Sequence, residues 1–570
     1  MKNKNYKPHY QFRRIVVLSV FALAILGLFW RALDMQVINQ PFFKQQGDAR
    51  HLRVVPISAH RGDIYDRNGE PLAISTPVDS VWANPKEIKN DLHRVVEIAK
   101  TLKINSQHLR NKLIKNSTRE FVYILRQVSP AMGEKVKALG VPGVYLQREY
   151  KRYYPAGEVT SHVIGFTDVD DKGQEGLELA YDDWLSGEPG LKRVIRDRLG
   201  QVVDDIERIR TAEPGKSVQL SIDRRIQYLA YQSLKSAVKE HKAIAGSAVV
   251  LDVHTGEVLA MVNQPSFNAN DRSQLKPGVY RNRSVTDVFE PGSTMKPFTI
   301  AAALETGRWH PLDNVRTAPG YYKVQGSTIK DMRNYGKINL GEIILKSSNV
   351  GVSKVALSLD QEQQLDMYMK LGFGANSGSG FPGERNGNLR TEHLSEFERA
   401  TMSFGYSLSV TPLQLARAYS AIAADGVIVP VSFLRKEESV EGERVMTVET
   451  AKKIRRMMEK VVSPEGTANK ASIANYRVAG KTGTVHKFIS GGYAEDRYLS
   501  VFAGMAPASE PRVVMIVMLN EPRNGKYFGG QVAAPVFSRV ISGALRLLDI
   551  PPDDLEYAQR KLVGIIGERV

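Results

Sequence analysis

The sequence predicts a multidomain chain: a single N-terminal transmembrane helix, an α+β region, and a larger α/β domain in which helices pack on an antiparallel sheet. Three observations lead there. Residues 15–30 form an uninterrupted run without charge; residues 34–216 mix short β-like runs, turns and amphipathic helices; and from Ser217 onwards a hairpin, apolar helices and late strands follow in order. At 570 residues the chain is also too long for one hydrophobic core.

The N-terminal flank carries Lys2, Lys4, Lys7, Arg13 and Arg14 and no acidic residue, and Arg31 closes the apolar run. Sixteen residues span about 24 Å as a helix, slightly short of a ~30 Å hydrocarbon core, and Ala32-Leu33 extends the span. The positive flank is expected to stay cytoplasmic, so that residues after Arg31 lie across the membrane. A cleaved signal peptide is the rival, but the one small-residue site, Ala22-Leu23-Ala24, lies inside the run. The expected organisation is a cytoplasmic tail 1–14, an anchor 15–33, a non-catalytic pedestal of the dimerisation type 34–216, a catalytic domain 217–550 and a C-terminal tail 551–570.

In the pedestal, Arg61-Gly62-Asp63-Ile64-Tyr65-Asp66-Arg67-Asn68-Gly69 places turns on either side of a short strand, and Arg152-Tyr153-Tyr154-Pro155 follows later. These read as turns and salt bridges of a scaffold. No nucleophile with an adjacent base is visible there. From Ser217, 218–223 reads as a strand, 225–239 as an amphipathic helix, and 247–252 with 257–262 as a hairpin about His254-Thr255-Gly256. Residues 413–424 read as a helix; 478–484 reads as a strand leading into a loop, with further strands at 500–506 and 513–519.

Composition excludes several chemistries. The absence of cysteine rules out disulfides, thiolate metal sites and a cysteine nucleophile. The histidines show no ligand spacing, so no metal and no cofactor is expected. A net charge of +17 permits an anionic partner, but the basic residues are scattered and no nucleic-acid motif is present, so no nucleic acid is expected.

The catalytic candidate is Ser293-Thr294-Met295-Lys296, which follows the Pro291-Gly292 break and opens the apolar run Ile300-Ala301-Ala302-Ala303-Leu304. On a helix, residues three apart share a face, which sets the Lys296 amine beside the Ser293 hydroxyl as base and nucleophile. Spacing alone does not select it, because Ser236…Lys239, Ser273…Lys276 and Ser327…Lys330 have the same interval. Two further motifs do: Ser347-Ser348-Asn349 and then Lys481-Thr482-Gly483-Thr484 at the end of a predicted strand.

Each motif has a physical task. Burial and a second cation, Lys481, disfavour the ammonium form of Lys296. Ser347 relays a proton towards the leaving amine, and Asn349 holds the substrate amide and Lys296. Gly483 lets a peptide approach the strand as an added edge strand does, while Thr482, Thr484 and Lys481 receive a terminal carboxylate. The backbone N–H groups of Ser293 and Thr484 are expected to form the oxyanion hole, at ~3–4 kcal/mol per donor. Which lysine does most of the deprotonation stays open.

With these motifs in place, the chain resembles the class B penicillin-binding proteins, and among them the FtsI-type septal peptidoglycan D,D-transpeptidases. The likeness extends through Gly165-Phe166-Thr167-Asp168, Gly176-Leu177-Glu178, Leu371-Gly372-Phe373-Gly374 and Tyr527-Phe528-Gly529-Gly530. Ser407 departs from it, standing where the family often has a second glycine after Gly405-Tyr406. The resemblance implies a catalytic domain like that of serine β-lactamases, with helices on both faces of the sheet. It implies a donor stem peptide ending in D-Ala-D-Ala, acylation of Ser293 with release of D-Ala, and an acceptor amine on diaminopimelate. It further implies trapping of Ser293 by β-lactams, placement in the bacterial inner membrane with a periplasmic catalytic domain, and the SEDS glycosyltransferase FtsW and divisome proteins as partners.

Other functions fit less well. A β-lactamase needs a water-activating element such as Glu-x-x-Leu-Asn, and the nearest match, Glu362-Gln363-Gln364-Leu365-Asp366, lacks the asparagine. Residues 34–216 are too short for both a pedestal and a glycosyltransferase. A β-lactam sensor needs a signalling domain, and a scaffold would have lost a catalytic residue. An elongation-type transpeptidase, or a condition-specific division paralogue, is the nearest alternative.

Overall fold

The computed structural model describes residues 10–43, 45, 52–196, 202–438, 440–490 and 492–554. Lys2, Lys4 and Lys7 of the basic flank, and the tail beyond Asp554, lie outside them. The chain divides into two compact units interleaved in sequence. One comprises Met1–His60, Pro77–Tyr150 and Glu188–Pro214; the other comprises Arg61–Thr76, Lys151–Gly187 and Gly215–Val570.

In the first unit, helix α1 (Tyr10–Leu33) has no buried residue. It is apolar on every side, so it has no single face to offer a core. Continued to Ile38, it is the one helix among the described residues long and apolar enough to cross a membrane. Strands Leu52–Ile57, Gly190–Arg196 and Val202–Arg210 form an antiparallel sheet. Val81 and Ala83, on a strand paired with Val122–Val128, pack with Ile88, Ile98, Leu109 and Leu113 into a small separate core.

The second unit holds the catalytic candidates. Of the strand expected over 218–223, only Val218–Gln219 joins a ladder, parallel to Ile64–Tyr65. The reason lies in Asp223. Its carboxylate accepts from the backbone N–H groups of Arg225 and Ile226 and so starts helix α2 (Arg224–Glu240). Strands β1 (Ala245–Asp252) and β2 (Val258–Gln264) form the expected hairpin.

The late strands are longer than expected. In place of a loop after Thr484, β3 (Ala479–Ile489) and β4 (Gly492–Ala506) pair almost end to end. Alternating residues such as Val485, Lys487 and Tyr493 let the ladder continue past the buried part of the sheet. With β5 (Val513–Asn520) the order is β2-β1-β5-β4-β3, antiparallel throughout, and β3 is an edge. Phe502 on β4 packs at 5.0 Å against Phe537 of helix α6 (Ala534–Leu547) on one face. On the opposite face, Gly483 approaches Pro291 and Thr294. The sheet therefore carries structure on both faces.

Arg61, Arg152 and Glu178, from three separate sequence motifs, meet inside this unit, and each is at most 5% exposed. Arg61 Nε donates to Glu178 Oε2 at 2.8 Å, and Arg152 Nε donates to Oε1 at 2.6 Å. Arg61 also pairs with Asp182 at 2.6 Å. The motifs are thus parts of one buried charge network, as their scaffold reading anticipated.

Candidate active site

Ser293 lies on a short 3₁₀ turn, Gly292–Met295, that feeds helix α3 (Lys296–Glu305). The expected helix therefore begins more tightly wound than an α-helix, and Ser293 precedes its first α turn. Two glycines allow the turn to dock. Gly292 has φ +58°, and a Cβ there would lie 2.3 Å from Val485 Cγ2; a Cβ on Gly405, at φ +85°, would lie 2.2 Å from the Gly292 carbonyl oxygen. Tyr419 Oη donates to the Thr294 carbonyl at 2.8 Å, and every residue of α3 from Lys296 to Leu304 is buried. The candidate nucleophile is held on a rigid element.

The second motif joins two helices, α4 (Leu340–Lys346) and α5 (Asn349–Leu357). Ser347 occupies the left-handed region, with φ 57° and ψ 42°, and turns its carbonyl and hydroxyl oxygens to Lys296. Ser348 caps α5. The third motif runs along the edge strand β3.

These elements bring all the expected catalytic side chains together. Lys296 Nζ lies 2.9 Å from Ser293 Oγ, 2.6 Å from the Ser347 carbonyl oxygen, 3.0 Å from Ser347 Oγ and 2.8 Å from Asn349 Oδ1. Lys481 Nζ lies 3.1 Å from Ser347 Oγ, so Ser347 sits between the two amines. Thr482 Oγ1 is 3.1 Å from Thr467 Oγ1, and Thr484 Oγ1 accepts from Gly529 N at 3.1 Å.

The electrostatics follow from burial. Lys296 and Lys481 are both 0% exposed. Burial first, and then the Lys481 charge, hold Lys296 well below the ordinary lysine value, with Asp331 opposing. Burial lowers Lys481 to about 7. An ammonium has three N–H groups for the four oxygens around Lys296, whereas a neutral amine has two, with a lone pair left over. The carbonyl oxygens of Ser347 and Asn349 can only accept, so in the neutral form that lone pair is available to the Ser293 proton. The geometry is that of a hydroxyl ready to lose its proton to an amine.

Asp331 was not among the expected site residues. Its carboxylate accepts from Ser348 Oγ at 2.6 Å, Asn349 N at 2.5 Å and Val350 N at 3.0 Å, fixing the second motif at the start of α5. It follows Lys330 of a competing Ser-x-x-Lys tetrad, and no local pattern marks it. That tetrad, Ser327–Lys330, is a strand, where residues three apart point to opposite faces. Ser236 is within α2, and Ser273 lies on a 3₁₀ turn, Arg272–Gln274.

A serine beside a buried lysine, a second serine bridging to a second lysine, and an edge strand beside them define a class. The transpeptidase domain model of the penicillin-binding proteins matches residues 246–542, and the penicillin-binding protein dimerisation domain model matches residues 56–220. The chain belongs to the class B penicillin-binding proteins. More particularly, it is 43% identical over 563 residues to peptidoglycan D,D-transpeptidase FtsI of Escherichia coli K12, covering 97% of this chain and 95% of that protein. It is 42% identical over 546 residues to probable peptidoglycan D,D-transpeptidase PbpC of Pseudomonas aeruginosa, covering 96% of this chain and 97% of that protein. Among solved structures, the transpeptidase domain of Burkholderia pseudomallei penicillin-binding protein 3 matches with a TM-score of 0.55 at 44% identity, covering 59% of this chain and 97% of that one. A peptidoglycan synthetase from Bifidobacterium adolescentis covers 88% of this chain and 98% of its own, with a TM-score of 0.70 at 25% identity.

Proposed function

We propose that the chain is a serine-type peptidoglycan D,D-transpeptidase that cross-links stem peptides during septal wall synthesis in cell division, and that β-lactams acylate it at Ser293. The observation that carries this reading is the set of contacts around Lys296, with Ser293 Oγ at 2.9 Å and Asn349 Oδ1 at 2.8 Å. Its likeness to relatives named FtsI supports the septal assignment.

Ser293 Oγ attacks the carbonyl of the penultimate D-Ala while Lys296 takes its proton. The new C–O bond forms as the C–N bond to the terminal D-Ala breaks, and Ser347, between Lys296 and Lys481, passes a proton to the departing amine. Lys481, Thr482 and Thr484 receive the terminal carboxylate, Gly483 admits the peptide to the β3 edge, and Asn349 holds its amide. The N–H groups of Ser293 and Thr484 stabilise the oxyanion. An acceptor amine then attacks the ester and regenerates the Ser293 hydroxyl.

The domain plan that accompanies this reading is a cytoplasmic tail 1–14, an anchor 15–33, a pedestal 34–216, a transpeptidase domain 217–550 and a tail 551–570. It places the catalytic domain in the periplasm, with FtsW and divisome proteins met through the anchor and pedestal. The exposed apolar helix Tyr10–Leu33 supports the anchor.

Intact mass after incubation with a penicillin tests the mechanism. One covalent adduct is expected on the full chain and none on Ser293→Ala; a folded parent that takes up no adduct rejects it.

A further inference from the structure

The chain that carries Ser293 is gripped by residues 403–419. Ahead of Ser293, Phe289 and Val410 exchange two backbone hydrogen bonds at 3.0 Å, and Gly292 N donates to the Gly405 carbonyl at 3.1 Å. Behind it, Thr299 Oγ1 donates to the Ser403 carbonyl at 2.8 Å, and the rings of Phe298 and Tyr419 meet edge to face at 5.1 Å. Between these contacts, Tyr419 Oη donates to the Thr294 carbonyl at 2.8 Å from 125 positions away in the chain. Tyr419 belongs to the helix Pro412–Ala423, in which every residue but Arg417 is buried. Thr411 and Gln414 close its first turn with a capping box, so the hydroxyl is carried on a fixed support.

The Thr294 carbonyl has a particular place. Three peptide units separate Ser293 from Lys296, and this carbonyl lies on the middle one. The turn that contains it is weakly held from within. Pro297 has no N–H, so the Ser293 carbonyl lacks the partner an α-helix would supply and accepts from Lys296 N instead, as a 3₁₀ turn does. Hydrogen-bond geometry in such a turn is poorer than in an α-helix, which leaves its peptide planes to be set by outside contacts. Thr294 and Tyr419 are both 0% exposed, so a carbonyl deprived of the Tyr419 donor has no solvent to replace it and must tilt towards another. A tilt of the middle peptide changes the 2.9 Å separation of Lys296 Nζ and Ser293 Oγ.

We infer that Tyr419 is a positioning residue for the nucleophile: its hydroxyl fixes the peptide between Ser293 and Lys296 and thereby sets the distance over which the proton passes. The inference rests on the transpeptidase reading and adds to it a residue outside the three motifs. The hydroxyl bonds the turn and none of the side chains assigned to the substrate, so its effect falls on acylation and not on binding.

The test uses the full-length protein in detergent with Tyr419 replaced by phenylalanine, para-fluorophenylalanine or para-aminophenylalanine. The first two keep the ring and lack the donor, and the fluorine fills the space of the missing oxygen. The third returns a donor to the same place. Saturation kinetics with a penicillin separate its non-covalent affinity from the first-order acylation rate, and both are taken per folded molecule. The two rings without a donor should acylate about tenfold more slowly at unchanged affinity, and para-aminophenylalanine should recover most of the rate. Ser221→Ala is the control for stability. It also removes a buried hydroxyl, one that donates to the Val258 and Ser432 carbonyls, and it should acylate at the parental rate.

Parental acylation by the para-fluorophenylalanine protein overturns the proposal. So does a loss confined to affinity, a loss that para-aminophenylalanine does not restore, or one that Ser221→Ala reproduces. In each of these cases the parent still takes up penicillin at Ser293, and the transpeptidase reading stands. A folded parent that takes up none rejects that reading and this inference together.

Discussion

Lys481 shows how a residue's function and its cost to stability share one cause. Burial holds its pKa at about 7, while the unfolded chain keeps the ordinary lysine value of 10.5. Below about pH 7 both states are protonated, and the folded protein bears the full cost of an enclosed ammonium, on the order of several kcal/mol. Between about 7 and 10.5 the unfolded chain binds more protons than the folded one, so this cost declines and stability rises with pH. Lys481→Met should therefore raise the Tm at pH 6, with a gain that shrinks towards pH 10, and it should abolish acylation by penicillin. A gain that does not vary with pH in thermal melts would contradict this electrostatic account. In the mechanism proposed above, the lysine stands where it weakens the fold because the substrate carboxylate needs a cation there.

At the scale of elements, the site depends on how helices and strands begin and end. Helix α5 starts at Ser348, and Asp331, from outside the helix, accepts from its first backbone N–H groups. This is capping by a remote carboxylate, and it also sets where Ser347 and Asn349 meet Lys296. Asp331→Ala should cost about 0.5–2 kcal/mol in a denaturant titration, the range for loss of a helix cap. It should also slow penicillin acylation by more than that lost stability explains, because the folded fraction itself has a displaced second motif. Acylation at the parental rate would leave Asp331 with a structural role alone. Sequence patterns do not reveal such a residue, since its partners are seventeen to nineteen positions away. The extension of β3 past Thr484 was likewise hidden: the exposed stretch around Phe488 and Tyr493 lacks the continuous apolar run that marks a buried strand.

Across the whole molecule, the Arg61–Glu178–Arg152 network ties distant parts of the chain into the unit that carries the candidate catalytic residues. Glu178 is 0% exposed and accepts from both arginines. Its removal leaves two buried guanidinium groups without their shared anion, and such breaks typically cost about 3–5 kcal/mol. Glu178→Ala should lower the urea midpoint correspondingly, although this residue lies in none of the three catalytic motifs. An unchanged midpoint would mean that water or Asp182 compensates. The sequence by itself determined the N-terminal apolar run, the hairpin of β1 and β2, and the three ordered motifs, because these are written in short-range hydropathy, turn chemistry and spacing. Ser293, Lys296, Ser347, Asn349 and Lys481 could be named from it. Only the tertiary structure decided that Lys296 contacts four oxygens at once and that Asp331 holds the second motif. Those facts depend on burial and on contacts between residues far apart in the chain, and neither is encoded in any local stretch.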